Sequence, residues 1–235
     1  MIVIFASRYD KSASSLAERW KNYDASLLTC DDLSVAGWRH SLNDEATNFA
    51  VINGQVIGVD EIDAVLIRWP GVFARELIQI APHDRDYVAS EMMAFLVSWF
   101  SSLSCPVINK PTPVNLTGPA WRLEQWTYAA AQLGIPVKPA RRHVARDIDT
   151  ESAAPESVAA TVTVVGDRCF GNVDSLLLKQ SRQLARVAGV TLLKTGFSGP
   201  EAGAFLGGVD LLPDLTDETA AAVLDLLIPR EATTF

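Results

Sequence analysis

Apolar and polar positions form alternating blocks along the first half of the chain. A continuous apolar run at residues 2–6 is typical of a strand that is covered on both faces of a sheet. A second apolar run lies at residues 26–30, and another buried strand is predicted at residues 64–70, where it ends at a proline. Between them, apolar residues recur with helical spacing, most clearly from about Asp86 to Leu103. This alternation of strands and helices predicts an α/β fold with an open, mainly parallel sheet.

Local turn and cap signals support these elements. Asn53-Gly54 stands between two β-branched segments and predicts a β-hairpin, because both central residues of its tight turn need positive φ. Asp10 or Ser12 is predicted to cap a helix that runs to about Trp20.

A proline-rich segment, "PVINKPTPVNLTGPAWRLEQW", joins a predicted strand at Pro106–Ile108 to the next helix. Thr117 is predicted to cap that helix, with Pro119 in its first turn, because both residue types favour helix starts. One more strand is predicted at residues 135–138.

The remaining chain has a different pattern. Residues 146–159 are polar and alanine-rich, which is typical of a linker or a surface loop. We therefore predict a front domain at 1–138, a linker at 139–159 and a second domain at 160–235. The second domain is predicted to contain strands at 160–165 and 190–194, helices at about 173–188 and 216–228, and a glycine-rich stretch at 196–208.

Composition restricts the class of protein. The chain has 235 residues, of which 49% are hydrophobic and 20% charged, and these proportions are typical of a folded protein. A net charge of −8 argues against a general nucleic-acid binder, because phosphate affinity depends on clustered Lys and Arg. The one compact basic cluster in the sequence, Arg141-Arg142-His143, is interpreted as a solvated loop.

Targeting and cysteine patterns indicate a cytoplasmic protein. The N-terminal apolar run is too short for a signal peptide and lacks its basic flank. No apolar run approaches the roughly 20 residues that span a bilayer. Cys30, Cys105 and Cys169 lie far apart and form no C-x-x-C pair, so we expect reduced, structural thiols.

Several common motifs are absent from the sequence. Neither a G-x-G-x-x-G nor a G-x-x-x-x-G-K-[ST] pattern occurs. Ser198 lies in "GFSGP", where proline replaces the final glycine of a nucleophile elbow. The three histidines, His40, His83 and His143, lack the spacing of metal ligands.

Arg68 is a candidate ligand-binding residue. It ends a predicted buried strand, and open α/β sheets bind ligands at the carboxyl ends of their strands. Its guanidinium could hold a carboxylate or phosphate, or form a structural ion pair. The alternative ion-pair partners are Asp63, Glu76 and Glu91.

Further candidates follow in the proline-rich segment. Asn109 and Asn115 could contact a ligand or cap backbone groups, and Arg122 lies near a helix N-terminus, which favours anions. A structural role remains the alternative for all three residues.

The segments "IDAVLIRWP", "YVASEMMAFLVSWFSSL" and "PVINKPTPVNLTGPAWRLEQWTYAAAQLGIPV" resemble the front half of ATP-grasp ligases. The resemblance is to the branch that modifies ribosomal proteins or ties macrocycles into ribosomal peptides. Arg68, Glu91, Asn109 and Gly134-Ile135-Pro136 fall on the family pattern, whereas Arg122 stands where the family usually has lysine. The resemblance implies a pre-ATP-grasp-like front domain.

"VTVVGDRCFGN" and "FLGGVDLLPDL" are similar to later parts of the family, and imply a reduced α+β ATP-grasp remnant. Residues 137–161, 25 in all and with Lys138 as their one lysine, are too few for the nucleotide clamp, whose elements each need about 5–12 residues. The family's Glu-x-Asn turn is also missing. Asp167, Asp210 and Asp214 remain weak metal candidates, and the last two could instead cap a helix near Thr216.

Three functional hypotheses remain open. The first is an ATP-grasp-like protein that has lost ligase activity, needs no cofactor, and acts as a binding, accessory or scaffold protein. Its partners would be a peptide, a protein, a small carboxylate, a second copy of the chain or an intact ATP-grasp protein. The second is an ATP-dependent carboxylate-amine ligase, using ATP and Mg²⁺, with an abbreviated or partner-completed nucleotide site. The third is an ATP-independent enzyme that uses Arg68 with Glu91 or Asp10.

Overall fold

The computed structural model describes residues 1–42, 47–138 and 158–228. The chain forms two compact units, unit 1 (Met1–Pro119 and Asp214–Phe235) and unit 2 (Ala120–Pro213). This division differs from the predicted boundary at residue 138, because Trp126, Ala130 and Ile135 pack in the core of unit 2. Most of the predicted linker, at residues 139–157, and the basic cluster at 141–143 lie outside the described residues.

The strands of unit 1 are β1 (Ile2–Phe5), β2 (Ala25–Leu28), β3 (Phe49–Ile52), β4 (Gln55–Gly58), β5 (Ala64–Ile67) and β6 (Val107–Ile108). Four of them form the predicted parallel sheet, in the order β2-β1-β5-β6. β3 and β4 form the predicted hairpin, in which Asn53 and Gly54 have φ values of 50° and 75°. Both predictions are confirmed.

The helices are α1 (Lys11–Arg19), α2 (Arg85–Ser102), α3 (Leu123–Gln132), α4 (Ser175–Ala188) and α5 (Asp217–Leu227). Asp10 caps α1, where its Oδ1 accepts a hydrogen bond from the Ala13 backbone N–H at 2.9 Å. α2 buries Leu96, Trp99 and Phe100, as the helical spacing predicted. Helices that could cross a membrane by length and apolar character are absent from the described parts of the chain.

Unit 2 contains β7 (Ala160–Val165), β8 (Arg168–Phe170), β9 (Leu192–Phe197) and β10 (Leu206–Asp210). These strands form an antiparallel sheet in the order β10-β9-β7-β8. Leu177 and Leu184 of α4 pack with Leu193 and Phe197 in its core. Unit 2 therefore has the predicted α+β character.

The predicted start of α3 is wrong. Its N-cap is Arg122 rather than Thr117, because the Thr117 hydroxyl and backbone N–H both donate to Oδ1 of Asn115 at 2.9 Å. This local turn competes with helix initiation. The Arg122 backbone N–H instead donates to Oε1 of Gln125 at 2.9 Å.

The predictions for residues 135–138 and 196–208 also need correction. Residues 135–138 make a single bridge, between Val137 and Leu206, and do not form a regular strand. The glycine-rich stretch predicted at 196–208 contributes the end of β9 and the start of β10. Backbone pairing between these strands outweighs the low strand preference of glycine.

Candidate functional site

A cleft of about 470 Å³ lies at the carboxyl edge of the parallel sheet in unit 1. In the sheet, β1 lies between β2 and β5. The strand order therefore reverses between β1 and β5, and open α/β sheets bind ligands at such a topological switch point. Ser7, Tyr9 and Asp10 follow β1, Trp69 follows β5, and Arg75 and Glu76 come from a short 3₁₀ turn at Ala74–Glu76. We call this the switch-point cleft.

Asp10 is held at the cleft by Arg68. The Arg68 Nε donates to Oδ2 of Asp10 at 3.1 Å, and Arg68 itself is only 5% exposed. Oδ1 of Asp10 is the cap of α1, so the carboxylate joins the end of β5 to the start of a helix. Arg68 therefore acts on the cleft through the position of Asp10.

The carboxylate beside Arg68 differs from the three predicted partners. Asp63 binds the N-terminal ammonium of Met1 at 2.7 Å, and Glu76 accepts a hydrogen bond from Ser7. Asp10, which the third hypothesis had named, contacts Arg68 at 3.1 Å, and Oδ1 of Asp214 lies 4.0 Å from the Arg68 Nη2.

Glu76 places a buried carboxylate in the wall of the cleft. It is only 3% exposed, and its Oε2 accepts a hydrogen bond from the Ser7 hydroxyl at 3.0 Å. The Arg8 Nη2 donates to the Glu76 backbone carbonyl at 2.8 Å and also pairs with the Asp31 carboxylate. These contacts fix the 3₁₀ turn beside the carboxyl ends of β1 and β2.

Trp69 gives the cleft an aromatic side, and Phe73 packs against its ring. Their ring centroids lie 5.6 Å apart with a near-perpendicular arrangement. The Arg75 guanidinium carbon lies 5.6 Å from the Trp69 centroid and 5.3 Å from that of Phe73. A cation therefore occupies the face of the indole in this structure.

Cys30 follows β2 at the same sheet edge. Burial, with a smaller contribution from the Glu76 charge, raises the pKa of its thiol to about 12. A thiol with this pKa stays protonated at neutral pH, and a protonated thiol is a poor nucleophile. Cys30 is therefore a packing residue, as the sequence predicted for the cysteines.

The other predicted ligand residues lie elsewhere. Asn109 is buried directly after β6, and the Asn115 side chain closes the turn with Thr117. Arg122 is exposed at the start of α3 in unit 2. The lining of the switch-point cleft comes from other positions. Among these, Trp69 directly follows the predicted Arg68, so the end of β5 was the signal that pointed to the site.

The three weak metal candidates make different contacts, and Asp214 also lies 4.0 Å from the Nη2 of Arg68. Asp167 accepts a hydrogen bond from Arg186 at 2.6 Å, which lowers its pKa. Asp210 accepts from the Leu212 backbone N–H, and Asp214 from the Ser12 hydroxyl, both at 2.8 Å. The predicted capping role of Asp210 and Asp214 is wrong, because Thr216 itself caps α5.

β10 offers few side-chain ligands for a magnesium ion. Mg²⁺ prefers oxygen ligands, usually carboxylates. Gly207 and Gly208 offer no side-chain donors, and Asp210 is engaged with the backbone of Leu212. Within residues 1–42, 47–138 and 158–228, no three His, Cys, Asp or Glu side chains form a group that could hold a metal.

The fold is similar to that of solved ATP-grasp ligases. The macrocyclase MdnC of Microcystis aeruginosa MRC, bound with its precursor peptide MdnA, matches with a TM-score of 0.68 and 12% identity over 98% of this chain and 100% of that chain. The ATP-grasp ligase PsnB, complexed with a minimal precursor, matches with a TM-score of 0.62 and 12% identity over 96% and 98%.

A RiPP-associated ATP-grasp ligase of Chryseobacterium gregarium, in complex with ADP and a leader and core peptide, has a TM-score of 0.60 and 10% identity, with 96% of each chain covered. No family model and no curated protein matches the sequence. The protein therefore has the fold of peptide-modifying ATP-grasp ligases, which confirms the fold that the sequence resemblance implied. At these identities the similarity defines the fold alone.

Proposed function

We propose that the protein binds a peptide in the switch-point cleft and does not catalyse ligation on its own. The observation that carries this proposal is the cleft itself, which combines the buried carboxylate of Glu76 with the indole of Trp69 at a topological switch point. A volume of about 470 Å³ lies within the common range of ligand sites, about 300–1,000 Å³.

A peptide is the favoured ligand because of the structural neighbours. MdnC was solved with its precursor peptide, PsnB with a minimal precursor, and the Chryseobacterium gregarium ligase with a leader and core peptide. An extended peptide presents separate side chains to a surface, so one side chain can enter a cleft of this size while its neighbours stay outside.

The residues of unit 2 support the loss of independent ligase activity. Forming an acyl-phosphate needs metal ions that neutralise the charge of the transferred phosphoryl group. Gly207 and Gly208 stand in the β10 segment where the resemblance expects a Glu-x-Asn ligand set. The chain would then serve as a binding, accessory or scaffold protein.

The alternative function is an ATP-dependent ligase whose nucleotide site is abbreviated or completed by a partner. The end-to-end match to a ligase in complex with ADP favours it. Isothermal titration with Mg-ATP separates the two functions. Absent or millimolar binding agrees with the proposal, whereas micromolar binding with hydrolysis in the presence of a peptide would establish the ligase.

Peptide binding can be tested without a known ligand. A phage-displayed library of random 12-residue peptides is selected on the wild-type protein, and the recovered peptides are measured against Trp69→Ala. Tyr128→Ala is the matched control, because Tyr128 is an exposed aromatic residue of unit 2. The proposal expects binding that Trp69→Ala weakens at least tenfold and Tyr128→Ala leaves intact. It fails if no peptide is enriched, or if both variants bind equally.

A further inference from the structure

We infer that the switch-point cleft selects a basic side chain, a lysine ammonium or an arginine guanidinium, of the bound peptide. This inference rests on the proposed function and names the side chain that enters the cleft. Glu76 would accept the hydrogen bonds of the cation. The face of Trp69 would pack against the apolar stem of the ligand side chain and interact with its charged group.

The balance of charge at the cleft is the first argument. Arg68 pairs with Asp10 and, at 4.0 Å, with Asp214, and Arg8 pairs with Asp31. Arg75, the remaining cation in the cleft lining, lies over the rings of Trp69 and Phe73. Within the described residues, no basic side chain forms an ion pair with Glu76, which is only 3% exposed. A buried carboxylate without a cation is costly, so a cationic ligand would be stabilised there.

The hydrogen-bonding capacity of Glu76 is the second argument. A carboxylate has about four acceptor positions, and the Ser7 hydroxyl fills one of them, on Oε2. In the described part of the chain, Oε1 accepts no hydrogen bond. An ammonium or guanidinium has several N–H groups, and charge-assisted hydrogen bonds to a carboxylate are about twice as strong as neutral ones.

Arg75 is the third argument, because it shows that the aromatic side accepts a cation. Its exposed guanidinium lies over Trp69 and Phe73. A ligand cation that enters the cleft takes the indole face, and Arg75 moves into solvent on its long, flexible stem. Arg75 therefore competes with the ligand cation for the face of Trp69.

An acidic ligand side chain fits this arrangement poorly. It would approach Arg75, but it would also meet the negative charges of Glu76 and Asp10, which both line the cleft. Like charges placed close together oppose binding. We therefore expect a small carboxylate, one of the sequence-based candidate ligands, to bind this cleft more weakly than a cation does.

The test uses capped single residues and the indole N–H signal of Trp69 in NMR spectra, which Trp69→Phe assigns. The probes are the N-acetyl methylamides of lysine, arginine, norleucine and glutamate. We expect saturable shifts with the lysine and arginine probes, in the millimolar range, and binding at least tenfold weaker with norleucine and glutamate. Equal binding of norleucine would overturn the inference.

Two variants separate recognition from a structural role. Glu76→Gln keeps an acceptor for Ser7 and should weaken the lysine probe at least tenfold, whereas Arg75→Ala should strengthen it severalfold by removing the competitor. A general loss of structure would weaken binding in both variants. Unchanged binding in Glu76→Gln contradicts the inference.

The source of the cation is tested with n-butylammonium chloride. Binding at least tenfold tighter than that of the lysine probe would assign the cleft to free amines and refute the peptide part of the inference, whereas equal or weaker binding agrees with it. The library selection distinguishes a failure of this inference from a failure of the proposed function. Peptides that depend on Trp69 but lack a basic residue overturn this inference and leave the proposed function intact, whereas the absence of any peptide that depends on Trp69 refutes the proposed function.

Discussion

The Nε of Arg68 donates to Oδ2 of Asp10 at 3.1 Å, and this contact ties the end of β5 to the first turn of α1. Arg68 is almost fully buried, and its charge is compensated by Asp10 at 3.1 Å and, more distantly, by Asp214 at 4.0 Å. Asp10 lines the switch-point cleft and Arg68 does not, so Arg68 holds a residue of the cleft wall in position.

Arg68→Met should destabilise the protein by about 2–4 kcal/mol, because truncating one member of a buried ion pair leaves the other without compensation. Urea denaturation measures the change in the free energy of unfolding. Arg122→Met is the matched control at an exposed arginine, and its effect should stay within about 0.5 kcal/mol. Unchanged stability of Arg68→Met, with loss of peptide binding, would instead make Arg68 a direct ligand contact.

Trp99→Ala should cost about 3–5 kcal/mol of unfolding free energy, as truncation of a large buried aromatic residue usually does. Trp99 is fully buried and packs edge-on against Trp38 with a centroid distance of 5.1 Å. Tyr87→Ala, at an exposed position of the same helix, is the control and should be nearly neutral. Thermal or urea unfolding of the two variants checks this difference, and similar losses would place Trp99 outside the core.

Cys30 should react slowly with iodoacetamide in the folded protein. With a pKa of about 12, its thiolate fraction at pH 9 is on the order of several hundred times lower than in the unfolded chain, where the pKa is close to 9. Mass spectrometry of a variant in which Cys30 is the one remaining cysteine gives the rate. Equal rates with and without urea would show that the thiol is neither buried nor shifted.

The same shift has a consequence for stability. The unfolded thiol ionises above about pH 9 while the folded thiol stays protonated to about pH 12, so the unfolded state binds fewer protons in this window and stability falls as pH rises. Cys30→Ala should reduce this alkaline loss. If the stability of Cys30→Ala falls with pH as steeply as that of the wild type, the alkaline loss of stability does not come from Cys30.

Gly189→Ala should destabilise the protein by about 1 kcal/mol. Gly189 ends α4 with φ of 68°, in the left-handed region that favours glycine. An added Cβ would meet no atom within 4 Å, so the cost is conformational. Gly208→Ala, which also has open space and no positive φ, should be nearly neutral in urea unfolding. Equal effects of the two changes would contradict the conformational explanation.

Features that depend on local chemistry were predictable from the sequence. The apolar runs of β1 and β5 and the Asn53-Gly54 turn need only neighbouring residues, and the structure contains all three. β10 was missed because Gly207 and Gly208 have low strand preference and their pairing with β9 is visible only in three dimensions. The start of α3 was misplaced because Thr117 forms a local turn with Asn115.

The site was predictable only in part. The end of β5 pointed to Arg68, but burial and pairing with Asp10 depend on a residue 58 positions away. Glu76 lies in a short 3₁₀ turn with no periodic pattern, and its burial beside Ser7 comes from tertiary packing. A carboxylate that lines a cleft looks the same in sequence as one on the surface.

The most direct test of the central claim is the affinity of a library-selected peptide for wild type, Trp69→Ala and Tyr128→Ala, with and without Mg-ATP. Fluorescence anisotropy of the labelled peptide measures all six values, and circular dichroism confirms that the variants are folded. Binding should be equal in wild type and Tyr128→Ala, at least tenfold weaker in Trp69→Ala, and independent of Mg-ATP. Equal affinity in Trp69→Ala, or binding that requires Mg-ATP, would contradict the account.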